Sequence, residues 1–241
     1  MLKFIGNGSC FNVNAINNSC FYFDMKHKSM LLIDCGENVF GELVKSNRLQ
    51  GIQSIDILIT HLHSDHVGSL PSVLFFCDIV YNMKPRVIYP EKNVIEQYLS
   101  LSGNEKDKYS VTVPKEYERY NITPILQKHS SVINAYGYII DIGGLVVYYS
   151  GDTHTIDPSV LQRLKSGEID YFYQDVTKYD NNAHMNINTL ASLIPDDLKD
   201  KVVCMHFDNE QTIKDVVAHG FGVAKIEQHH TQTASASNTK C

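Results

Sequence analysis

The sequence lacks any apolar run long enough to cross a bilayer. Its first residues, MLKFIGNGSCFNVN, place Gly, Asn and Ser where a secretory signal would have an apolar core. These two absences argue against an integral membrane protein and against an exported one. We therefore expect a cytoplasmic protein with no membrane partner.

Paired cysteine motifs are also missing. The six cysteines lie at positions 10, 20, 35, 77, 204 and 241, and no two of them form a CxxC pair. This spacing is typical of buried or free thiols in a reducing compartment, and it disfavours both a disulfide framework and a thiolate zinc site. The cysteine pattern therefore supports the same cytoplasmic expectation.

Positive charge is not in excess either. The 21 Lys and Arg residues face 27 Asp and Glu residues, for a net charge of -6. Such a surface repels a long polyanion, so the balance favours a small-molecule substrate. A nucleic-acid substrate stays as an alternative, because a local basic patch would overrule the overall balance.

The chain shows no internal repeat, and only its end, TQTASASNTKC, is low in complexity. A chain of 241 residues, 43% of them hydrophobic, can build one ordinary core. We predict a single domain over residues 1–230 and a flexible tail over residues 231–241.

Short β-rich runs alternate with helical stretches, which predicts an α/β fold. Strands are predicted at LLID, IDILIT, KVVCMH and, around a Gly143-Gly144 hairpin, YIIDIGGLVVYYSGD. Helices are predicted over 68–78, 91–102, 158–166, 187–194 and 209–218. Segment 103–120 has four positive and four negative side chains, which predicts a solvated connection; a substrate-facing or dimer-contacting segment is the alternative.

The most informative stretch is ILITHLHSDHVGSLP. It places His61, His63, Asp65 and His66 within six residues, directly after a β-rich run. A loop at such a junction can aim several side chains at one point. Imidazole and carboxylate ligands suit Zn and also Mn, Fe or Co, so the stretch predicts a metal site.

The motif His61-Leu-His63-Ser-Asp65-His66 resembles the HxHxDH signature of the metallo-β-lactamase superfamily. The order of the later motifs resembles that superfamily too: Asp34 in LLIDCGE, His129 in QKHS, Gly151-Asp152-Thr153, and His206 in VVCMHFD. The resemblance implies an α/β fold of the αββα sandwich type and a metal-dependent hydrolase. It implies two divalent cations, with zinc expected and manganese as the alternative. One ion would be held by His61, His63 and His129, the other by Asp65, His66 and His206, and Asp152 would bridge them. Asp34 would hold the ligand loop in place.

Two further features resemble the ribonuclease Z branch of that superfamily. The opening FIGNGSCFN is similar to its FLGTGS, and YFYQDVTKYDNNAHMNIN is similar to its stretch with His-Glu-Ala-Thr and then His-Ser-Thr. Asp175 takes the place of the Glu and His184 that of the later His, although Gln174 and Met185-Asn186 depart from the pattern. The resemblance implies that Asp175 orients His184 for proton transfer to the leaving oxygen. Together with Asp65, these are the expected catalytic residues.

The chain is shorter than ribonuclease Z and lacks an evident Gly- and Lys-rich arm for tRNA. Its opening and its DCGENVF motif are similar to those of the phage anti-Pycsar phosphodiesterases, which destroy cyclic nucleotide immune signals. This resemblance implies hydrolysis of 3′,5′-cyclic nucleotides to linear monophosphates by a homodimer in the host cytoplasm. A ribonuclease Z-like RNA endonuclease and a lactone or thioester hydrolase are the alternatives. Tyr179, Asn181 and Asn186 are candidates for contacts with the base.

Overall fold

The computed structural model describes residues 1–227 and contains two six-stranded sheets. The first sheet comprises β1 (Lys3–Gly6), β2 (Ser19–Asp24), β3 (Ser29–Ile33), β4 (Ser54–Leu58), β5 (Arg86–Ile88) and β6 (Ser110–Thr112). The second comprises β7 (Asn121–Gln127), β8 (Ala135–Asp141), β9 (Val146–Tyr149), β10 (Tyr171–Asp175), β11 (Val202–Met205) and β12 (Gly222–Val223). The predicted tail, 231–241, lies outside the described residues, as does the end of the predicted domain.

Seven α-helices accompany the strands within these residues. They are α1 (Val39–Lys45), α2 (Ser64–Val67), α3 (Leu70–Tyr81), α4 (Lys92–Leu101), α5 (Pro158–Lys165), α6 (Ile187–Leu193) and α7 (Glu210–Ala218). Short 3-10 helices lie at Pro114–Glu116 and Asp196–Lys201. Over residues 1–227, none of the helices combines the length and the apolar character that crossing a membrane requires.

The two sheets share one topology. In each sheet the first three strands pair in antiparallel fashion, and the third to sixth pair in parallel. Strand order follows chain order in both sheets. The carboxyl ends of the parallel strands of a sheet therefore meet at one edge, where open α/β sheets bind their ligands.

Strand residues alternate between two apolar environments, as the period of two of a β-strand requires. In β3, Met30 and Leu32 join the cluster that contains the helices α1, α3 and α4, whereas Leu31 and Ile33 join a cluster shared by both sheets. A third cluster packs the helices α5, α6 and α7 against the outer face of the second sheet. The layers are thus helix, sheet, sheet and helix, which confirms the predicted αββα sandwich.

The predicted elements lie close to the observed ones. All five predicted helices are present, with ends that differ by at most three residues. The Asp157 side chain caps α5 by accepting from the Ser159 N–H. Gly143 and Gly144, both at positive φ, turn β8 into β9. The helix α1 was not predicted: Gly41 lies within it, and burial of Val39 and Leu43 on one face stabilises it.

The prediction of a solvated connection over 103–120 is wrong in part. Its charged side chains are largely exposed, but Tyr109, Tyr117 and Tyr120 are buried. The Tyr117 hydroxyl donates to the buried Asp56 carboxylate at 2.7 Å. The segment contributes β6 and part of the interior because its tyrosines bury apolar rings while the charges remain in water.

Candidate metal centre and active site

Each predicted ligand follows the carboxyl end of a strand. Residues 61–66 follow β4 in the first sheet, while His129, Asp152 and His206 follow β7, β9 and β11 in the second. Asp34 follows β3. The fold therefore brings together side chains that are up to 172 residues apart in the chain, from Asp34 to His206.

His61, His63 and His129 form the first of two candidate ligand sets. The Nδ1 atom of His63 lies 3.0 Å from Nε2 of His61 and 3.1 Å from Nε2 of His129. His129 is oriented by its other ring nitrogen, Nδ1, which donates to the Ala183 carbonyl at 3.0 Å. Three imidazole nitrogens therefore converge on one point.

Asp65, His66 and His206 form the second set. The Oδ2 atom of Asp65 lies 3.3 Å from Nε2 of His66 and 3.2 Å from Nε2 of His206. All three residues are buried. This set offers one carboxylate and two imidazoles to a shared point.

Asp152 lies between the two sets. Its Oδ2 atom is 3.3 Å from His66 Nε2 and 3.6 Å from His206 Nε2 in the second set. The same oxygen is 3.7 Å from His129 Nε2 and 3.9 Å from His61 Nε2 in the first. One carboxylate oxygen thus touches both sets, which is the position of a bridging ligand.

The chemistry of these residues fits divalent cations. Nε2 of His66 and Oδ1 of Asp152 are buried polar atoms without a hydrogen-bond partner, and such atoms are costly unless something binds them. The ligand atoms within each set lie within 4.8 Å of one another. Imidazole and carboxylate donors of this kind suit zinc or manganese.

Charge within the centre keeps its carboxylates ionised. Burial alone would raise the pKa of Asp152, but the neighbouring His206 and His66 lower it well below its usual value. Burial alone would also raise the pKa of Asp65. The neighbouring His66 and His206 outweigh this effect, so the Asp65 pKa is lowered too. Both carboxyls are therefore charged at neutral pH. The same carboxylates raise the pKa values of His66 and His206, and since a protonated imidazole cannot ligate a metal, binding of a cation would release protons from these rings.

Asp34 orients a ring of the second set from the side that faces away from the centre. Its Oδ2 atom lies 2.9 Å from Nδ1 of His66, which leaves Nε2 of that ring for the centre. Its Oδ1 atom accepts from the Thr60 N–H at 2.8 Å, and the Thr60 hydroxyl lies 3.1 Å from Nδ1 of His61. Asp34 therefore contacts His66 directly and His61 through Thr60. The sequence alone does not indicate this role for Thr60, because a single Thr belongs to no recognisable motif.

Gly36 allows the loop after β3 to pack against the ligands. A Cβ atom at this position would overlap the backbone carbonyl of Asp65. The Cys35 N–H donates to the His66 carbonyl at 2.6 Å, and the Ser69 N–H donates to the Cys35 carbonyl at 3.0 Å. The DCGE segment thus lies directly against the helix α2 that carries Asp65 and His66.

Replacing Asp34 by Asn is expected to weaken metal binding by about 10- to 100-fold, because the acceptor that fixes the His66 ring loses its charge. The measurement is competition with a chelator, together with metal analysis of the purified protein. Asp24→Asn is the matched control, since that partly exposed carboxylate lies at the opposite end of β2 from the site. Equal metal affinity in the Asp34→Asn variant and in the wild-type protein would contradict this role.

His184 and Asp175 lie beside the centre as a pair. The Nδ1 atom of His184 is 2.8 Å from Oδ2 of Asp175 and 3.9 Å from Oδ2 of Asp152. Burial lowers the pKa of His184, but the Asp175 carboxylate more than offsets this, so the pKa is raised above its usual value. Nε2 of His184 is left as the atom that can deliver a proton.

Asp175 also contacts His206. Its Oδ1 atom lies 3.3 Å from Nδ1 of His206, the ring nitrogen opposite the one in the second set. Its Oδ2 atom accepts from the Thr153 N–H at 3.1 Å. Asp152, Asp175, His184 and His206 could themselves gather around a cation. However, Oδ2 of Asp175 is hydrogen-bonded to the Thr153 N–H and to His184, and Oδ1 lies beside the His206 nitrogen that is turned away from the second set, which favours orientation over ligation.

The candidates for base contacts behave differently from one another. Tyr179 and Asn181 line a cavity next to the centre. Asn186 does not: its Oδ1 caps α6, and its Nδ2 donates to the Lys178 carbonyl and to Asp180. The interpretation of Asn186 as a base contact is therefore wrong, because its amide is already bonded to backbone groups and to the Asp180 carboxylate.

The αββα fold and the two adjoining ligand sets define a metal-dependent hydrolase of the metallo-β-lactamase fold. The model of one family, described as anti-Pycsar protein Apyc1, matches residues 1–231 of the chain. The chain therefore belongs to the anti-Pycsar Apyc1 family.

Individual relatives agree with this assignment. The anti-Pycsar protein Apyc1 of Paenibacillus sp. (strain J14) is 26% identical over 227 residues, covering 87% of this chain and 89% of that protein. The metallo-β-lactamase fold protein YhfI of Bacillus subtilis has a TM-score of 0.70 at 16% identity and is similar over 95% of this chain and 96% of that one. The short form of human tRNase Z has a TM-score of 0.64 at 19% identity, over 95% of this chain and 96% of that one. The last two likenesses concern the fold.

Proposed function

We propose that the chain hydrolyses 3′,5′-cyclic nucleotides to linear monophosphates in the cytoplasm of the host cell, using two divalent cations. The observation that carries the proposal is the His184–Asp175 pair, whose Nδ1 to Oδ2 distance is 2.8 Å, next to two ligand sets that share Asp152. Membership of the anti-Pycsar family supports the same substrate. Zinc is the proposed metal and manganese the alternative.

The residues of the centre divide the work. His61, His63 and His129 would hold one cation and Asp65, His66 and His206 the other, with Asp152 shared. When bound, the two cations would lower the pKa of a water molecule and neutralise charge on the phosphate. The imidazole rings would need little movement on metal binding, because three of them are already oriented. Asp34 orients His66, Thr60 orients His61, and the Ala183 carbonyl orients His129.

His184 is proposed as the general acid. Hydrolysis adds water to phosphorus and breaks the bond to the 3′ or the 5′ oxygen, which leaves as an alkoxide unless it receives a proton. An alkoxide is a poor leaving group, so a positioned acid lowers the barrier. The Asp175 carboxylate raises the pKa of His184 above its usual value, which favours the protonated ring that a general acid requires.

The lactone and thioester alternative would be favoured if His184 and Asp175 pointed away from the centre. Instead, His184 lines the cavity beside it, and its ring lies 5.2 Å from that of His206, nearly parallel to it. A positioned acid of this kind suits a phosphodiester.

The experiment is a substrate panel. Four 3′,5′-cyclic mononucleotides, a tRNA precursor and bis(p-nitrophenyl) phosphate would be incubated with the protein plus Zn or Mn, and with EDTA as the control. The expected result is EDTA-sensitive conversion of the cyclic nucleotides with the tRNA intact. Cleavage of the tRNA alone would replace this proposal with an RNA endonuclease, and inactivity on all the phosphodiesters would refute both.

A further inference from the structure

A cavity of about 320 Å³ adjoins the centre on the side of the second ligand set. His184 and His206 form its inner wall, and Ser9, Phe11, Tyr179 and Asp208 are among the residues that form the rest. Its volume falls at the lower end of the roughly 300–1,000 Å³ typical of small-molecule sites. A ligand whose phosphate is held at the metal centre has room for its next group in this cavity; a second cavity, of about 460 Å³, is lined by His129 of the first set.

Phe11 is held at the mouth of the cavity although 83% of its surface is exposed. Its loop is tied to the residue after His206: the Ser9 N–H and the Asn12 side-chain amide both donate to the Phe207 carbonyl, at 3.0 and 3.1 Å. The Phe207 N–H donates to the Asn7 carbonyl at 2.7 Å. These bonds fix the loop backbone that carries Phe11 relative to His206, while the aromatic ring itself is not packed against the protein.

A second exposed aromatic, Tyr179, lines the same cavity and is 54% exposed. Among the polar lining groups, both oxygens of Asp208 accept from hydroxyls, those of Thr177 and Thr212, each at 2.8 Å. The Asn181 Oδ1 accepts from the backbone N–H groups of Ala183 and His184. These acceptors are engaged within the protein, whereas the buried Ser9 hydroxyl has no hydrogen-bond partner among the described residues. The surfaces left for a ligand are therefore this hydroxyl and the two aromatic rings, of which Tyr179 already has the Lys178 ammonium 5.1 Å from its ring centroid.

We propose that this cavity is the nucleobase site, in which Phe11 and Tyr179 provide stacking surfaces for the base. The inference rests on the proposed function for its substrate class. Stacking suits the geometry because a purine or pyrimidine presents a flat π-face, and an exposed aromatic ring gains by covering it. Phe11 therefore acts on affinity, while proton transfer remains with His184.

The test compares ligands with and without a base. Binding of adenosine 5′-monophosphate and of ribose 5-phosphate to the metal-loaded protein would be measured by calorimetry, for the wild-type protein and for Phe11→Ala, Phe11→Tyr and Val13→Ala. Val13 is the matched control, because it is 87% exposed on the same loop and does not line the cavity. Phe11→Tyr keeps the ring.

Phe11→Ala is expected to weaken nucleotide binding by about 5- to 100-fold while ribose 5-phosphate binds as before. Phe11→Tyr and Val13→Ala should stay close to the wild type. With cyclic AMP as substrate, Phe11→Ala should raise KM by a similar factor and leave kcat within about threefold.

Two outcomes would overturn the base site. One is a wild-type protein that binds the nucleotide no better than ribose 5-phosphate. The other is a lower oligomer mass in both Phe11→Ala and Val13→Ala by light scattering, which would show that a second copy of the chain covers this loop. Failure of the proposed function gives a different result: the nucleotide binds in a Phe11-dependent manner, yet cyclic nucleotides are not hydrolysed.

Discussion

Asp152→Ala is expected to lose bound metal and to reduce turnover of a phosphodiester by about 10³-fold or more. The reason is the position of its Oδ2 atom, which lies 3.3 to 3.9 Å from one imidazole nitrogen each of His66, His206, His129 and His61. Without this carboxylate, each ligand set loses a negative donor, and nothing fixes the spacing between the sets. Two cations clamping a phosphate provide several kcal/mol, and each ~1.4 kcal/mol is worth tenfold in rate.

The measurements are metal content by mass spectrometry and kcat/KM on the preferred substrate of the panel. Asp152→Asn keeps the side-chain volume, so it separates loss of charge from the cavity left by Ala. Asp141→Asn is the control: this carboxylate accepts from the Gly144 N–H in the hairpin at the other end of β9. Thermal unfolding of all three variants reports whether they fold. Two bound metals with activity within tenfold of the wild type would refute a bridging role.

Local sequence was sufficient to predict four of the seven proposed ligands. His61, His63, Asp65 and His66 are close in sequence, and a loop between a strand and a helix aims them together whatever the rest of the chain does. His129 and His206 are different, because neither is distinctive on its own. They were identified only because the order of motifs resembles a known superfamily, and the topology of the second sheet then brings them to the same edge.

The orienting contacts were largely beyond sequence reasoning. Asp34 was predicted to hold the ligand loop, but its route to His61 passes through Thr60. The orienting partner of His129 is a backbone carbonyl, that of Ala183, which any residue could supply. Contacts of this kind depend on the tertiary positions of main-chain atoms, so no residue pattern marks them.

The shared topology of the two sheets was equally invisible. No internal repeat is evident in the sequence, yet both sheets consist of three antiparallel strands continued by parallel ones. A strand between two apolar layers needs only side chains that can be buried on alternate faces, and many sequences meet this requirement. Met30-Leu31-Leu32-Ile33 and Tyr171-Phe172-Tyr173 both meet it, although their side chains differ. The expected homodimer stays a prediction.

His184→Ala is expected to lower kcat by about 10²- to 10⁴-fold with metal content unchanged, which is the usual range for a general acid. His184 is in neither of the two proposed ligand sets, so its removal leaves them intact. The loss should shrink on bis(p-nitrophenyl) phosphate, whose phenolate leaves without needing a proton. An equal loss on both substrates would indicate that the ring binds the phosphate instead.

Asp175→Asn provides the pH test of the same role. In the wild type, Asp175 raises the pKa of His184, so the acid form persists above the usual histidine range, and kcat should fall as pH rises through that raised value. Removing the carboxylate charge lowers the pKa, so the alkaline limb of the profile should move to lower pH. Metal analysis is required alongside, because Asp175 also lies 3.3 Å from Nδ1 of His206. An unshifted alkaline limb in an enzyme with full metal content would assign proton delivery to a group other than His184, most simply to water, and would leave His184 a role in binding alone.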